Sequence, residues 1–182
     1  MPQQISLPGF DMDTRPSDRL LFGVRPSADA TRRILQLGTA GPPVREDLLH
    51  ITLNHLGDYH GLPPSLVAQA HAAGEAVVAA PFPVALNRVM NFNRGIAVLS
   101  GDADIDGIVA FQRRLGVAMA GVGLGRLVEK AFTPHVTISY SDPKIDERTV
   151  EPVGWTVDEL LLIRSLLGKG EHRVIGRWPL RG

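Results

Sequence analysis

Apolar positions along the chain change their spacing repeatedly, and each change marks an element. Arg19-Leu20-Leu21-Phe22-Gly23-Val24 is a nearly continuous apolar run that predicts a short buried strand, ended by Pro26. Ser27 then offers a helix N-cap, and Ala30, Ile34 and Leu37 recur at helical spacing through Ala28 to Leu37 until Gly38 stops them. After the Gly41-Pro42-Pro43 loop, Leu48 to Leu56 alternates as a strand closed by Gly57-Asp58. Pro63-Pro64 opens a second helix through Val78, in which Gly74 is unfavourable by about 1 kcal/mol relative to Ala. Phe82 to Phe92 and Arg94 to Leu99 read as two strands around a turn at Asn91-Phe92-Asn93. Ile105, Ile108, Val109, Leu115 and Met119 form the apolar stripe of a third helix over Asp104 to Ala120, ended by glycines. A strand over Ala131 to Tyr140, a polar segment around Asp142-Pro143, and strands over Trp155 to Leu166 and Glu171 to Trp178 complete the chain, the last two joined through Gly168-Lys169-Gly170.

Two of these strands carry the same pattern. Leu49-His50-Ile51-Thr52-Leu53 and Pro134-His135-Val136-Thr137-Ile138 each read His, apolar, Thr, apolar. Side chains alternate across an extended strand, so each His shares a face with its Thr while the apolar residues point to the other. On the first strand Leu48, His50, Thr52 and Asn54 are expected on one face, and on the second Thr133, His135, Thr137 and Ser139. Each motif strand follows a helix and precedes further antiparallel strands. The two halves therefore predict an α+β protein of two similar lobes related by a pseudo-twofold axis. Each lobe is expected to be a small antiparallel sheet, with helices outside and polar faces lining a central cleft.

Composition narrows the function. The 19 basic and 19 acidic side chains cancel, which argues against a broad electrostatic clamp on nucleic acid but leaves room for a phosphate held by local donors. The absence of cysteine removes disulfides, thiolate nucleophiles and cysteine metal sites, and fits a reducing cytoplasm. The polar, turn-forming start reads as a flexible extension over 1–18 without a secretion signal, ahead of one bilobal domain over 19–182. No apolar run approaches the ~18 residues that cross a bilayer, so a soluble protein without membrane contact is expected.

Paired histidines on facing strands suit phosphodiester chemistry. One group must take a proton from the attacking oxygen and another must give one to the leaving oxygen, on opposite sides of phosphorus. Histidine, with an unperturbed pKa of about 6.5, reaches both states near neutrality. The Thr hydroxyls can donate to the non-bridging oxygens.

With these motifs the chain resembles the 2H phosphoesterases, and within them the bacterial 2′,5′ RNA ligase or RNA 2′,3′-cyclic phosphodiesterase branch. The resemblance rests on Arg19 to Pro26, the two tetrads, Leu56-Gly57 and the closing Trp178-Pro179-Leu180. It implies hydrolysis of RNA or nucleotide 2′,3′-cyclic phosphates to 2′-phosphates without metal or other cofactor, by a monomer, with His50 and His135 as acid and base and Thr52 and Thr137 on the phosphate. In reverse it implies joining of a cyclic-phosphate end to a 5′-hydroxyl through a 2′,5′ linkage. A non-catalytic RNA-end binding module is the third reading. The chain departs from the family at His55, where many relatives carry an aromatic residue, and at Tyr140, where some carry Arg. With Phe22, these are its candidate substrate contacts.

Other signals carry less. The five-residue spacing of His50, His55 and His60 puts them on no common helix or strand face, which argues against a metal site. His71 reads as a surface residue, and His172 as a polar group that could approach the cleft from the last strand. Gly121, Gly123 and Gly125 follow a helix and precede a strand, the reverse of a dinucleotide loop. Arg32-Arg33 and Arg113-Arg114 read as solvated helix faces, and Arg126 and Lys130 as charges near the second motif.

Overall fold

The computed structural model describes residues 15–39, 41–92, 95–140 and 145–182. The expectations for the first fourteen residues, for Asn93 and Arg94 and for Asp142-Pro143 lie outside them. The elements run β1 (Asp18–Val24), α1 (Ala28–Leu35), β2 (Ile51–Tyr59), α2 (Pro64–Ala76), β3 (Phe82–Phe92), β4 (Ile96–Ser100), α3 (Asp106–Gly121), β5 (Val136–Ser139), β6 (Arg148–Val157), β7 (Glu159–Leu166) and β8 (Glu171–Pro179). Short 3₁₀ turns at Glu46–Leu48 and Gly125–Leu127 precede the two motif strands.

Local chemistry accounts for the helices. Ser27 Oγ accepts the Ala30 N–H at 3.2 Å and caps α1, and Gly38 leaves the helix with φ +67°. Pro64 starts α2, where a missing N–H costs nothing. Gly74 has a packing reason: a Cβ there would lie 2.5 Å from Cζ2 of Trp178, so only glycine lets the indole lie against the helix. His71 also packs on that indole, with ring centroids 5.5 Å apart, and is half-buried rather than free on the surface.

The strand order is β6-β3-β4-β5-β2-β1-β7-β8, antiparallel throughout. It divides into two four-stranded halves, β2-β1-β7-β8 and β6-β3-β4-β5, joined between β2 and β5 at the pair Ile51↔Val136. The unit β1-α1-β2 in one half corresponds to β4-α3-β5 in the other, so the joining pair marks a pseudo-twofold axis through the centres of both motifs. This is the α+β, pseudo-symmetric, two-lobed arrangement expected from the repeated pattern, with the two expected small sheets joined edge to edge as halves of one eight-stranded sheet.

The helices cover one face of the sheet. Leu20, Phe22 and Val24 of β1, Ile51 and Leu53 of β2, and Val136 and Ile138 of β5 are buried there with Ile34 of α1, Ala70 of α2 and Leu115 of α3. On the other face Leu21, Leu161 and Ile163 form a small separate cluster with Val174. Burial of the large face supplies the drive for folding, while the other face stays open for polar side chains.

Three boundaries differ from expectation. Both motif strands start late, because the chain ahead of each is bent by a 3₁₀ turn or irregular segment and regular pairing begins one residue past each histidine; β2 runs on through Gly57-Asp58 to Tyr59, whereas β5 is cut to four residues. The expected strand Trp155 to Leu166 is two strands that part at Asp158, where the chain crosses from one half to the other and the Leu180 N–H donates to the Asp158 carbonyl at 2.7 Å. No glycine or proline announces that break. β4 starts at Ile96, after Gly95 turns the hairpin with φ +88°.

Candidate active site

Regular alternation along β2 and β5 is interrupted at the same place in both motifs. Against β1, Gly23 pairs with Thr52 and Phe22 with Asn54, which leaves Leu53 as an extra residue. Against β4, Val98 pairs with Thr137 and Ala97 with Ser139, which leaves Ile138 as an extra residue. Each motif therefore ends in a β-bulge at its last apolar position, and the bulge reverses the faces beyond it. Asn54 and Ser139, expected beside the histidines, are instead buried toward the helices. Asn54 Oδ1 accepts the Glu129 N–H at 2.8 Å and ties β2 to the segment leading into β5. A second register shift follows at Leu56, and His55 stands opposite Leu21, on the open face.

The joining pair sets the reacting groups side by side. Continuing the antiparallel register one residue either way from Ile51↔Val136 puts His50 across from Thr137 and Thr52 across from His135. All four side chains then share the open face, each His with the other motif's Thr as its nearest cross-strand neighbour. Both imidazoles are held identically. His50 Nδ1 meets the Leu48 carbonyl at 2.7 Å, and His135 Nδ1 meets the Thr133 carbonyl at 2.8 Å. A carbonyl only accepts, so each Nδ1 carries the proton, and each Nε2 is left for the substrate as acceptor or, when the ring is charged, as donor.

The surroundings of the two rings differ. His50 lies 5.0 Å from the His172 ring, edge to face, although β8 is three strands from β2, because the open face curves until β8 touches the Glu46–Leu48 turn. Its proton affinity is lowered mainly by burial, partly offset by the Leu48 carbonyl, with Arg25, His135 and Arg19 lowering it further. The ring is therefore neutral at pH 7. His172 falls to about 4, through burial first and then the charges of His50 and Arg25. His135 instead lies against Phe92, with ring centroids 4.7 Å apart.

A family model described as the 2′-5′ RNA ligase superfamily matches residues 4–169. The chain belongs to that superfamily. Among solved structures it is similar to E. coli LigT in its apo form, at 24% identity and TM-score 0.71, over 92% of this chain and 99% of that one. It is also similar to a solved phosphoesterase, at 23% identity and TM-score 0.71 over 91% of this chain and 99% of that one. TT0787 of Thermus thermophilus matches at 22% identity and TM-score 0.69 over 90% and 98%. No curated protein sequence matches. Membership of the 2′-5′ RNA ligase superfamily makes the chain a 2H phosphoesterase, with the fold of LigT.

Within this superfamily frame the remaining candidates separate. Phe22 does not line the cleft: it is fully buried on the helix side, against Trp178 with ring centroids 6.2 Å apart. β1 presents Phe22 to the core because its neighbours Leu21 and Gly23 occupy the open face. His55 reaches that face but is tied to Asp58 at 2.9 Å, whose carboxylate also accepts from Nε and Nη2 of Arg19 at 2.7 and 2.8 Å. Those partners hold the Asp58 carboxyl well below the usual carboxylate range, Arg19 foremost. Tyr140, the pseudo-symmetric counterpart of His55, is 61% exposed. His172 does approach the cleft. Arg25 and Phe92 are the neighbours that sequence reasoning missed. Arg25 was legible as the polar end of the β1 run, whereas nothing along the chain links Phe92 to His135.

Gly23 matters for the same reason. A Cβ there would lie 2.8 Å from the Ile51 carbonyl and 3.6 Å from Cδ2 of His50. Glycine lets β1 and β2 approach and gives the His50 ring its place. Among the described residues no group of three or more His, Asp or Glu is gathered as metal ligands. No helix among them is long and apolar enough to cross a membrane.

Proposed function

We propose that the protein opens 2′,3′-cyclic phosphates of RNA ends or small nucleotides to 2′-phosphates. The observation that carries this reading is the matched pair of Nδ1-to-carbonyl bonds, which leaves two Nε2 atoms and two threonine hydroxyls on one face about a pseudo-twofold axis. In the reaction a water oxygen forms a bond to phosphorus while the bond from phosphorus to O3′ breaks on the opposite side. One imidazole takes the water's proton and the other gives a proton to O3′, so the pair ends one proton transfer from where it began. Thr52 and Thr137 donate to the non-bridging oxygens as charge is redistributed. Solved complexes of E. coli LigT with phosphate and with 3′-AMP support a phosphate-bearing nucleotide as the ligand class.

The superfamily's name favours a second nucleophile for the same groups. With the histidine roles unchanged, a 5′-hydroxyl replaces water, gives its proton to one imidazole as O3′ leaves with a proton from the other, and a 2′,5′ linkage forms. One experiment addresses both: RNA with a 2′,3′-cyclic end, in chelator, with and without a 5′-hydroxyl strand. The expected product is a 2′-phosphate, and His50→Ala and His135→Ala should each lose about 10²–10⁴-fold in rate. Wild-type rates in either variant overturn paired histidine catalysis. Joined strands as the main product favour ligation.

A further inference from the structure

The pseudo-symmetry fails at one position beside the reacting groups. Val24↔Ile51 on one half corresponds to Leu99↔Val136 on the other. One residue further, the first register brings Arg25 alongside His50, and the second brings Ser100 alongside His135. Ser100 is buried and donates to the Pro134 carbonyl at 2.8 Å. Arg25 has no such use: its Nε is buried and has no partner among the described residues. Nδ1 of His172, the ring packed against His50, is likewise buried and without a partner among them. Two buried nitrogens thus lack partners on the side of His50 that faces away from His135.

A buried, unpartnered guanidinium nitrogen is costly unless a ligand completes it, and its planar donors match the oxygens of a phosphate or a carboxylate; beside a cyclic-phosphate site the substrate supplies phosphate. The charges around Arg25 are Arg177, Asp47 and Glu159. Asp47 is held by Arg45, and Glu159 by Arg177. Neither carboxylate makes an ion pair with Arg25 among the described residues. A phosphorus centred between His50 and His135 leaves this flank for the next anionic group along the substrate. In an RNA strand that group is the phosphate on the 5′ oxygen of the terminal nucleoside.

We propose that Arg25, with His172 beside it, forms a second phosphate subsite that takes the 5′-phosphate of the nucleoside bearing the cyclic end. The inference rests on the cyclic-phosphate reading and adds a substrate preference: 5′-phosphorylated nucleotides and RNA ends over plain nucleoside 2′,3′-cyclic monophosphates. His172 stays neutral at pH 7 and so supplies a hydrogen bond without adding charge.

The test uses the full chain and two readouts. Turnover is compared for adenosine 2′,3′-cyclic monophosphate, its 5′-phosphorylated form and the dinucleotide ApA with a cyclic end, and binding by calorimetry for adenosine 2′-monophosphate and adenosine 2′,5′-bisphosphate. The wild type should favour the 5′-phosphorylated substrates at least tenfold in kcat/KM and bind the bisphosphate at least tenfold tighter. In Arg25→Gln both ratios should fall to near one, and Arg25→Lys, which keeps charge without the fork, should retain part of each. Preference for ApA alone would assign the subsite to an RNA strand, and equal preference to the 5′-phosphate itself. Equal handling of all ligands by the wild type, or preference undiminished in Arg25→Gln, overturns the subsite. Bisphosphate selectivity without turnover of any substrate supports the subsite and overturns the cyclic phosphodiesterase reading instead.

Discussion

The two motifs share one backbone design and differ in what surrounds it. In both, a histidine donates Nδ1–H to the carbonyl two residues back, a threonine follows on the same face, and a bulge at the last apolar residue turns the next polar side chain inward. Around His50 stand Gly23, Arg25 and His172; around His135 stand Phe92 and, at the equivalents of Gly23 and Arg25, Val98 and Ser100. The shared part orients two Nε2 atoms toward one centre. The unshared part makes one flank cationic and rich in donors and the other aromatic. Symmetry thus serves the phosphorus, which must be approached from two sides, and its loss serves the rest of the substrate, which has no symmetry.

The comparison breaks most severely if the histidines are unequal in importance. Either single alanine variant should fall by about 10²–10⁴-fold on a cyclic phosphate. Thr52→Val and Thr137→Val, which remove one donor each, should lose about 10²-fold or more in kcat, read from saturation kinetics. A variant at one threonine that matches wild type would show that the phosphate sits off the axis.

The unequal surroundings should appear in the pH dependence. Burial and the neighbouring charges lower the proton affinity of free His50, so one limb of the kcat/KM profile should lie below about 6.5. His172→Asn should shift that limb. Both His50 and His172 have folded pKa values below their unfolded ones, so the unfolded chain binds more protons in acid. Their contribution to stability is present above about pH 6.5 and is lost as the pH falls toward about 4. Melting temperatures measured across that range should decline less in His172→Leu than in the wild type.

The smallest effects concern the bulges. Asn54→Ala removes the acceptor for the Glu129 N–H and should cost about 1–3 kcal/mol in urea unfolding. At the equivalent position the Ser139 hydroxyl is buried without a partner among the described residues, so Ser139→Ala should not destabilise and should stabilise the protein by about 1 kcal/mol. Equal costs would mean that the two bulges are held in the same way after all.

Much of this was legible in the chain. His50, Thr52, His135 and Thr137 were readable because strand period alone puts each His with its Thr, and the repeat implied the pseudo-twofold relation. The helices were readable because Ser27, Pro64 and the glycines after α3 punctuate them. The faces of Asn54 and Ser139 were not, since a bulge is set by cross-strand pairing and leaves no composition signal at Leu53 or Ile138. Asp158 was missed for a similar reason: the crossover between halves is enforced by the partners of β6 and β7. Phe22 looked available to the cleft because an apolar run does not tell which of its residues faces the helices. His172 reaches His50 only because the open face curves, which no local pattern records.

The central claim is that rings from both halves serve one phosphate. NMR titration of the six histidines with inorganic phosphate tests it most directly. The account predicts that the His50 and His135 resonances move together, with one binding constant and both proton affinities rising as the anion binds. Movement of one ring without the other, or two unrelated binding constants, would contradict it.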